Sequence, residues 1–365
     1  MKDYINPSLL LESDKIEAGS VEWRSPSNLA IVKYWGKHGQ QLARNPSLSL
    51  TLSEAFTETK ISYKALEEVV SGSDAIQLSF KFEGKEEPAF AERIKKYLSS
   101  LLPVFPFLKQ LDLTIDTKNS FPHSSGIASS ASAMSALALC LCSIEDRLFG
   151  TLSSDQEFDQ KASYIARLGS GSACRSVYGH WSLWGETGEV KGSSDVYAIP
   201  MADQVHPAFE RAQDAILIVS EHKKSVSSTQ GHQLMETHDY ASVRFQQARS
   251  RLHRLLSALR MGDWEDFGRI AENEALTLHG LMMSSNPSYM LMHPNTLRIL
   301  NATRKYREVK KVPVYFSLDA GPNVHLLYPE SVKEEVNEWI GSELSTYCKD
   351  GKVIYDHGGD GPEEL

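Results

Sequence analysis

Mixed α+β, with no regular βα alternation, is the fold class that this 365-residue sequence predicts. Three patterns carry that expectation. Short segments alternate apolar and polar residues with period two, as in Ser47-Leu48-Ser49-Leu50-Thr51-Leu52 and Leu111-Asp112-Leu113-Thr114-Ile115, the mark of strands with one buried face. Other segments repeat apolar residues at helical spacing, as in Ala248, Leu252, Leu255, Leu256 and Leu259. Between them, a glycine- and serine-rich loop from Phe121 to Ser130 runs straight into a stretch rich in Ala, Leu and Met.

Residues 1–20 are polar and irregular and are expected to form a surface extension. Strands and turns should occupy 21–60, and strand character continues over 61–82 with a Ser-Gly-Ser turn at 71–73. A helix is expected over 87–102, stopped by Pro103, and another over 131–141 behind the Gly/Ser loop. Residues 155–168 read as a helix ending at Gly169, and Trp181-Ser182-Leu183-Trp184 as a strand. The second half should open near 205 with a buried strand at 215–219. Two long amphipathic helices follow, the second marked by Trp264, Phe267, Ile270 and Ala271, with Gly262-Asp263 between them. A hairpin of 312–317 with 324–328 and a helix over 333–344 complete the chain. The division is an extension over 1–20 and domains over 21–204 and 205–365, with no internal repeat.

The formal net charge is −9, which argues against a general nucleic-acid binder, since that needs a basic footprint. Cys140, Cys142, Cys174 and Cys348 form no Cys-x-x-Cys pair and no zinc spacing with His. The twelve histidines include no His-Glu-x-x-His, and no Gly-x-Ser-x-Gly elbow is evident, so zinc hydrolysis and serine hydrolysis are disfavoured. No secretory apolar region and no run of 18 apolar residues occurs, so a cytoplasmic protein without a membrane span is expected.

Five polar islands could carry chemistry. The Gly/Ser loop puts free N–H groups, the hydroxyls of Ser124, Ser125, Ser129 and Ser130, and a helix N-terminus at one point, which suits a polyphosphate. No Gly-x-x-x-x-Gly-Lys-Ser/Thr is present, so this is not a P-loop. Its plain alternative is an N-cap packed through small residues. Lys33 and Lys37 flank Tyr34-Trp35 and could grip an anion together, or form a solvated basic surface. Gly169-Ser170-Gly171-Ser172-Ala173-Cys174-Arg175 is a second hydroxyl-lined loop, with an arginine suited to a carboxylate or phosphate, or to a surface ion pair. Asp319, before Gly321-Pro322, could be a positioned base or could close an Asx-turn. Lys223-Lys224-Ser225-Val226-Ser227-Ser228-Thr229-Gln230-Gly231 is again basic and hydroxyl-rich. One shared cleft accounts for the five together better than five separate coincidences.

At these islands the chain resembles the diphosphomevalonate decarboxylase family of the GHMP kinase superfamily. Lys33-Tyr34-Trp35-Gly36-Lys37, Gly126-Ile127-Ala128-Ser129-Ser130-Ala131, residues 169–176, residues 226–231 and Asp319-Ala320-Gly321-Pro322-Asn323 follow that family's order and spacing. Gly359-Asp360-Gly361-Pro362 resembles its ending. The resemblance spans about 21–362. It implies a GHMP-kinase-like α+β fold, with a ribosomal-protein-S5-domain-2-like N-terminal half and a ferredoxin-like C-terminal half around a deep cleft. It implies a homodimer that uses ATP and Mg2+ to phosphorylate the C3 hydroxyl of mevalonate 5-diphosphate. Loss of phosphate and CO2 then gives isopentenyl diphosphate and ADP.

By the same resemblance Asp319 orients or deprotonates the C3 hydroxyl, Lys33 neutralises the transferring phosphoryl, and Arg175 binds the substrate carboxylate. Tyr34, Lys37, Ser170 and Ser172 receive the diphosphate, and Ser228 positions substrate. Ser124, Ser125, Gly126, Ser129, Ser130 and Asn119 hold ATP. Mg2+ is bridged mainly by nucleotide phosphates, with Ser129 or Ser130 as a possible protein ligand and no dedicated metal site. The chain departs from the family pattern at Ile127, at His123-Ser124-Ser125, and at His232 where methionine is expected. A kinase that stops after phosphorylation, or a catalytically dead anion-binding module, are the rival readings. The dead module would be expected to lack the acid or a loop hydroxyl, and both are present.

Overall fold

The computed structural model describes residues 4–12, 15–67, 76–121, 129–222 and 225–365. The predicted turn at 71–73 lies outside them, as do Lys223, Lys224 and residues 122–128 of the expected Gly/Ser loop, which include His123, Ser124, Ser125, Gly126 and Ile127.

The first half is built on a large twisted sheet. β1 (Gly19–Ala30) is followed by the short pair β2 (Lys37–His38) and β3 (Leu42–Ala43), then by the long β4 (Ser47–Ala65). β5 (Gln77–Phe82), β6 (Lys85–Glu86), α1 (Pro88–Ser100) and β7 (Leu111–Asn119) come next. β1 and β7 flank β4 antiparallel, and β5 joins β7 in parallel. α2 (Ser129–Phe149) and α3 (Asp155–Gly169) follow. Every residue of α2 from Ser135 to Glu145 is buried. A helix that is apolar on nearly all sides is a core helix, and α2 has the sheet on one side and α3 on the other. β8 (Trp181–Trp184) extends the sheet beyond β4, and β9 (Ala198–Pro200) pairs with β8.

Residues Ser47 to Leu52 form a strand as predicted, but both of its faces are buried. The alternation records polarity, not exposure: Ser47 donates to Val32 O at 2.6 Å, Ser49 meets Ser182 Oγ at 3.2 Å, and Thr51 donates to Tyr178 O at 2.7 Å. Hydrogen bonding makes the hydroxyl face compatible with burial. Residues 4–12 are irregular as predicted yet anchored. Tyr4 and Leu9, with Ile16 further on, enter the core, and Leu11 and Gln110 exchange hydrogen bonds of 3.1 and 2.6 Å, so the surface extension expected over 1–20 is instead packed against the first half.

The second half contains β10 (Gln213–Leu217), α4 (Ser228–Leu234), α5 (Ala241–Met261), α6 (Trp264–Met283) and α7 (Pro294–Lys310). After these come β11 (Tyr315–Ser317), β12 (Val324–Tyr328), α8 (Lys333–Trp339), β13 (Val353–His357) and β14 (Glu363–Glu364). Its sheet runs β11-β12-β10-β13, antiparallel throughout. The break between α5 and α6 falls where the sequence puts it: Gly262 is left-handed at φ 74°, and Asp263 accepts from Asp266 N at 3.0 Å. Several predicted elements differ in their bounds. The 312–317 strand begins only at Tyr315, the 215–219 strand occupies Gln213–Leu217, and the 333–344 helix changes to a π turn after Trp339. α4 begins inside the basic, hydroxyl-rich stretch 223–231, for which no helix was predicted, and α7 had no counterpart in the prediction.

Candidate active site

Lys33 follows the end of β1, and Asp319 follows β11, so each is held on backbone just beyond a strand. They form an ion pair, Nζ to Oδ1, at 2.9 Å. The Lys33 side chain is 3% exposed and that of Asp319 22%. The pair is thus closed on the lysine side and open on the carboxylate side. A solvated basic surface is excluded, because Trp35 is also buried.

A buried network holds the Lys33 main chain. Glu274 of α6 accepts the Lys33 N–H at 2.8 Å and bonds of 2.7 and 2.6 Å from Arg244 of α5. Arg244 also donates to Lys33 O at 2.8 Å, and Arg251 donates to Glu274 at 2.7 Å. Burial raises the Glu274 pKa, but the two guanidiniums outweigh that and hold it below the usual carboxylate value. On the acid's side, the His279 ring Nε2 lies 3.0 Å from the main-chain O of Asp319.

Arg175 closes the short 3-10 turn Gly171–Arg175 and is 1% exposed. It donates to Asn28 Oδ1 at 3.3 Å and to Ser47 Oγ, and lies 5.5 Å from the Tyr34 ring centre. Asn28 in turn donates to Ser172 O at 3.1 Å and Ser176 Oγ at 2.8 Å, fixing the loop that carries the arginine. No carboxylate pairs with Arg175 at ion-pair distance among the described residues. It is a buried cation with neutral partners rather than half of a surface ion pair, and burial lowers its pKa.

Around these groups lies a cavity of about 720 Å³. Every predicted site residue that is described lines it: Lys33, Tyr34, Lys37, Asn119, Ser129, Ser130, Ser170, Ser172, Arg175, Ser228 and Asp319. Lys37 donates to Gln41 Oε1 at 2.6 Å, and burial pulls its pKa down to about 8. Burial pushes the Tyr34 hydroxyl up to about 12. The hydroxyls of Ser130 and Ser170 are 3.2 Å apart, so the start of α2 and the end of α3 meet at the wall. Ser228 arrives on α4, which lies against Trp35 only because residue 231 is glycine; a Cβ there would sit 2.5 Å from the indole. Four cations, Lys33, Lys37, Arg93 and Arg175, face one carboxylate, Asp319, among the lining residues. An acidic protein therefore carries a locally basic cleft, as a polyanionic ligand requires. One end is apolar, with Phe80, Phe82, Phe90 and Ile94.

Sequence reasoning assigned no role to Asn28, His279 or the Glu274 network. A clue to Glu274 was available, since an acid between Ala271 and Ala275 lies on the buried stripe of its helix.

Two α+β halves, a hydroxyl-rich helix start and a basic cleft with one carboxylate define an enzyme of the GHMP-kinase-like class. The model of the diphosphomevalonate decarboxylase-like N-terminal domain matches residues 25–198, and that of the mevalonate 5-diphosphate decarboxylase C-terminal domain matches 215–358. The diphosphomevalonate decarboxylase of Eremothecium gossypii is 31% identical over 319 residues, covering 83% of this chain and 76% of that one. The crystal structure of mevalonate diphosphate decarboxylase from Staphylococcus aureus superposes with a TM-score of 0.79 at 27% identity, covering 96% of this chain and 98% of the other. A chain solved in complex with MVAPP, AMPPCP and magnesium gives 0.77 at 27% identity, covering 96% and 99%. This chain belongs to the diphosphomevalonate decarboxylase family.

Proposed function

We infer that this protein catalyses the ATP-dependent decarboxylation of mevalonate 5-diphosphate to isopentenyl diphosphate, ADP, phosphate and CO2. The observation that carries this is the placement of the Lys33–Asp319 pair and Arg175 on one cavity. Asp319 orients the C3 hydroxyl or takes its proton as the hydroxyl oxygen bonds to the γ-phosphorus and ADP leaves. Lys33 neutralises charge spreading over the phosphoryl oxygens. The C3–O bond then breaks with its electrons on phosphate. The carboxylate held by Arg175 leaves as CO2, and its bonding pair becomes the new double bond. Tyr34, Lys37, Ser170 and Ser172 take the diphosphate, and Ser228 positions the substrate.

Ser129, Ser130 and Asn119, with Ser124, Ser125 and Gly126 of the adjoining loop, hold ATP, whose base suits the apolar end at Phe82 and Phe90. The hydroxyls of Ser129 and Ser130 are oxygen donors of the kind Mg2+ takes; they would help to hold the ion, which would supply positive charge at the nucleotide phosphates. A structural relative in complex with MVAPP, AMPPCP and magnesium supports both co-substrate and ion.

We assign residues 21–204 to the nucleotide half and 205–365 to the second, and the matched domain spans fall inside these limits. The working unit is read as a cytoplasmic homodimer, which light scattering tests by mass. No helix among the described residues is long and apolar enough to cross a membrane.

The test is incubation with ATP and each of mevalonate, its 5-phosphate and its 5-diphosphate, following ADP and CO2 separately. Both products are expected together from the diphosphate. ADP without CO2 from every substrate would leave a kinase and overturn the reading. Asp319→Asn should lower turnover by about 10²- to 10⁴-fold while nucleotide binding persists.

A further inference from the structure

His232 lines the cavity, and the site assigned above gives it no role. It follows Gly231 on α4 and is buried. Its Nδ1 accepts the Gly36 N–H at 3.0 Å. A nitrogen that accepts this bond carries a lone pair, so the neutral ring bears its hydrogen on Nε2. Gly36 reaches this geometry at φ 109°, a left-handed value natural to glycine. The ring is held between aromatic neighbours, 4.9 Å and 22° from Tyr34 and 4.4 Å from Trp35. Burial, then the charge of Lys37, keeps it unprotonated. Nε2 makes no hydrogen bond among the described residues, while the ring lines the same cavity as Lys37 and Tyr34. A fixed, uncharged donor therefore stands beside the residues assigned to the substrate diphosphate. Methionine at this place fills comparable space but offers no donor.

We propose that His232 is a substrate-binding specificity residue in this chain, donating its Nε2–H to the diphosphate of mevalonate 5-diphosphate alongside Tyr34 and Lys37. The proposal rests on the function inferred above and deepens it. A donor to a phosphate oxygen that contributes equally before and during the reaction changes affinity and leaves turnover alone.

The test measures binding of mevalonate 5-diphosphate and of an inert ATP analogue by calorimetry in the wild type, His232→Met and His232→Gln, with steady-state kinetics beside it. His232→Met should weaken diphosphate-substrate binding about tenfold or more. The nucleotide Kd and kcat should stay where they were, which also shows that the variant is folded. His232→Gln, which keeps an N–H near the reach of Nε2, should recover most of the loss. Unchanged or tighter substrate binding in His232→Met, or equal losses for substrate and nucleotide, overturns the proposal. Because binding is read apart from turnover, missing CO2 release would refute the reaction while the His232 result still stands or falls by itself.

Discussion

Lys37 lies in the cavity with an uncharged side chain, Gln41, as its hydrogen-bond acceptor, and burial brings its pKa down to about 8. An ammonium this easily neutralised is a poor structural group and a good receiver for a diphosphate, whose charge restores the proton on binding. The sign follows directly. In the diphosphate-binding role proposed for Lys37, the charged form attracts the substrate; it predominates below about pH 8 and is lost as pH rises through that value. Since kcat/KM reports ionisations of the free enzyme, kcat/KM for the diphosphate substrate at saturating ATP should decline on the alkaline side with an apparent pKa near 8. Lys37→Met should start lower and show no such limb. An identical alkaline limb in that variant would assign the titration to another group.

At the scale of elements, α5 and α6 do more than cover the second sheet. Their facing stripes bury Arg244 and Glu274 among leucines, and this pair holds both the N–H and the C=O of Lys33. Glu274→Gln leaves two guanidiniums short of a counter-charge, a loss on the order of 3–5 kcal/mol for a broken buried pair. A purely structural role predicts a lower Tm with kcat intact. Positioning of Lys33 predicts a lower kcat as well, measured well below the new Tm, with little change in the KM for ATP.

This network also marks where sequence reading stops. The residues that line the cavity were legible where a donor or acid stands within two positions of a glycine or hydroxyl, as for Ser170, Ser172 and Asp319. Residues that support them were not, because Glu274 meets Lys33 across 241 positions and nothing local in either segment announces the other. The same holds for secondary structure. The α5–α6 break was clear from Gly262-Asp263, whereas α4 is a seven-residue helix made largely of polar residues and α7 buries only Thr296, Ile299, Leu300 and Thr303. In both, contacts with the rest of the molecule outweigh local propensity.

For the whole molecule, the cleft depends on how the two halves are joined, and the join runs through β4. Where β4 passes residues 53–55, the Asp356 carboxylate on β13 accepts three main-chain N–H groups, from Ser53, Glu54 and Ala55, at 2.8, 2.9 and 2.8 Å. The chain then lies along β4: Gly359 donates to Thr51 O at 3.0 Å, and a Cβ on Gly359 would sit 2.4 Å from Leu52 O. It ends by adding β14 to the outer edge of β1. The terminal glycine motif is thus a requirement of close backbone approach across the junction. Asp356 does not line the cavity, so its removal should separate stability from chemistry. Asp356→Ala leaves these three N–H donors, and that of His357 at 2.7 Å, without their acceptor, and bonds to a charged acceptor make this a loss of about 3 kcal/mol. Calorimetry should show a clearly lower Tm, with kcat at 25 °C near that of the wild type. Asp356→Asn, which keeps one carbonyl acceptor, should fall between. A Tm unchanged in Asp356→Ala would mean that the halves are held by their other contacts and that this carboxylate contributes little.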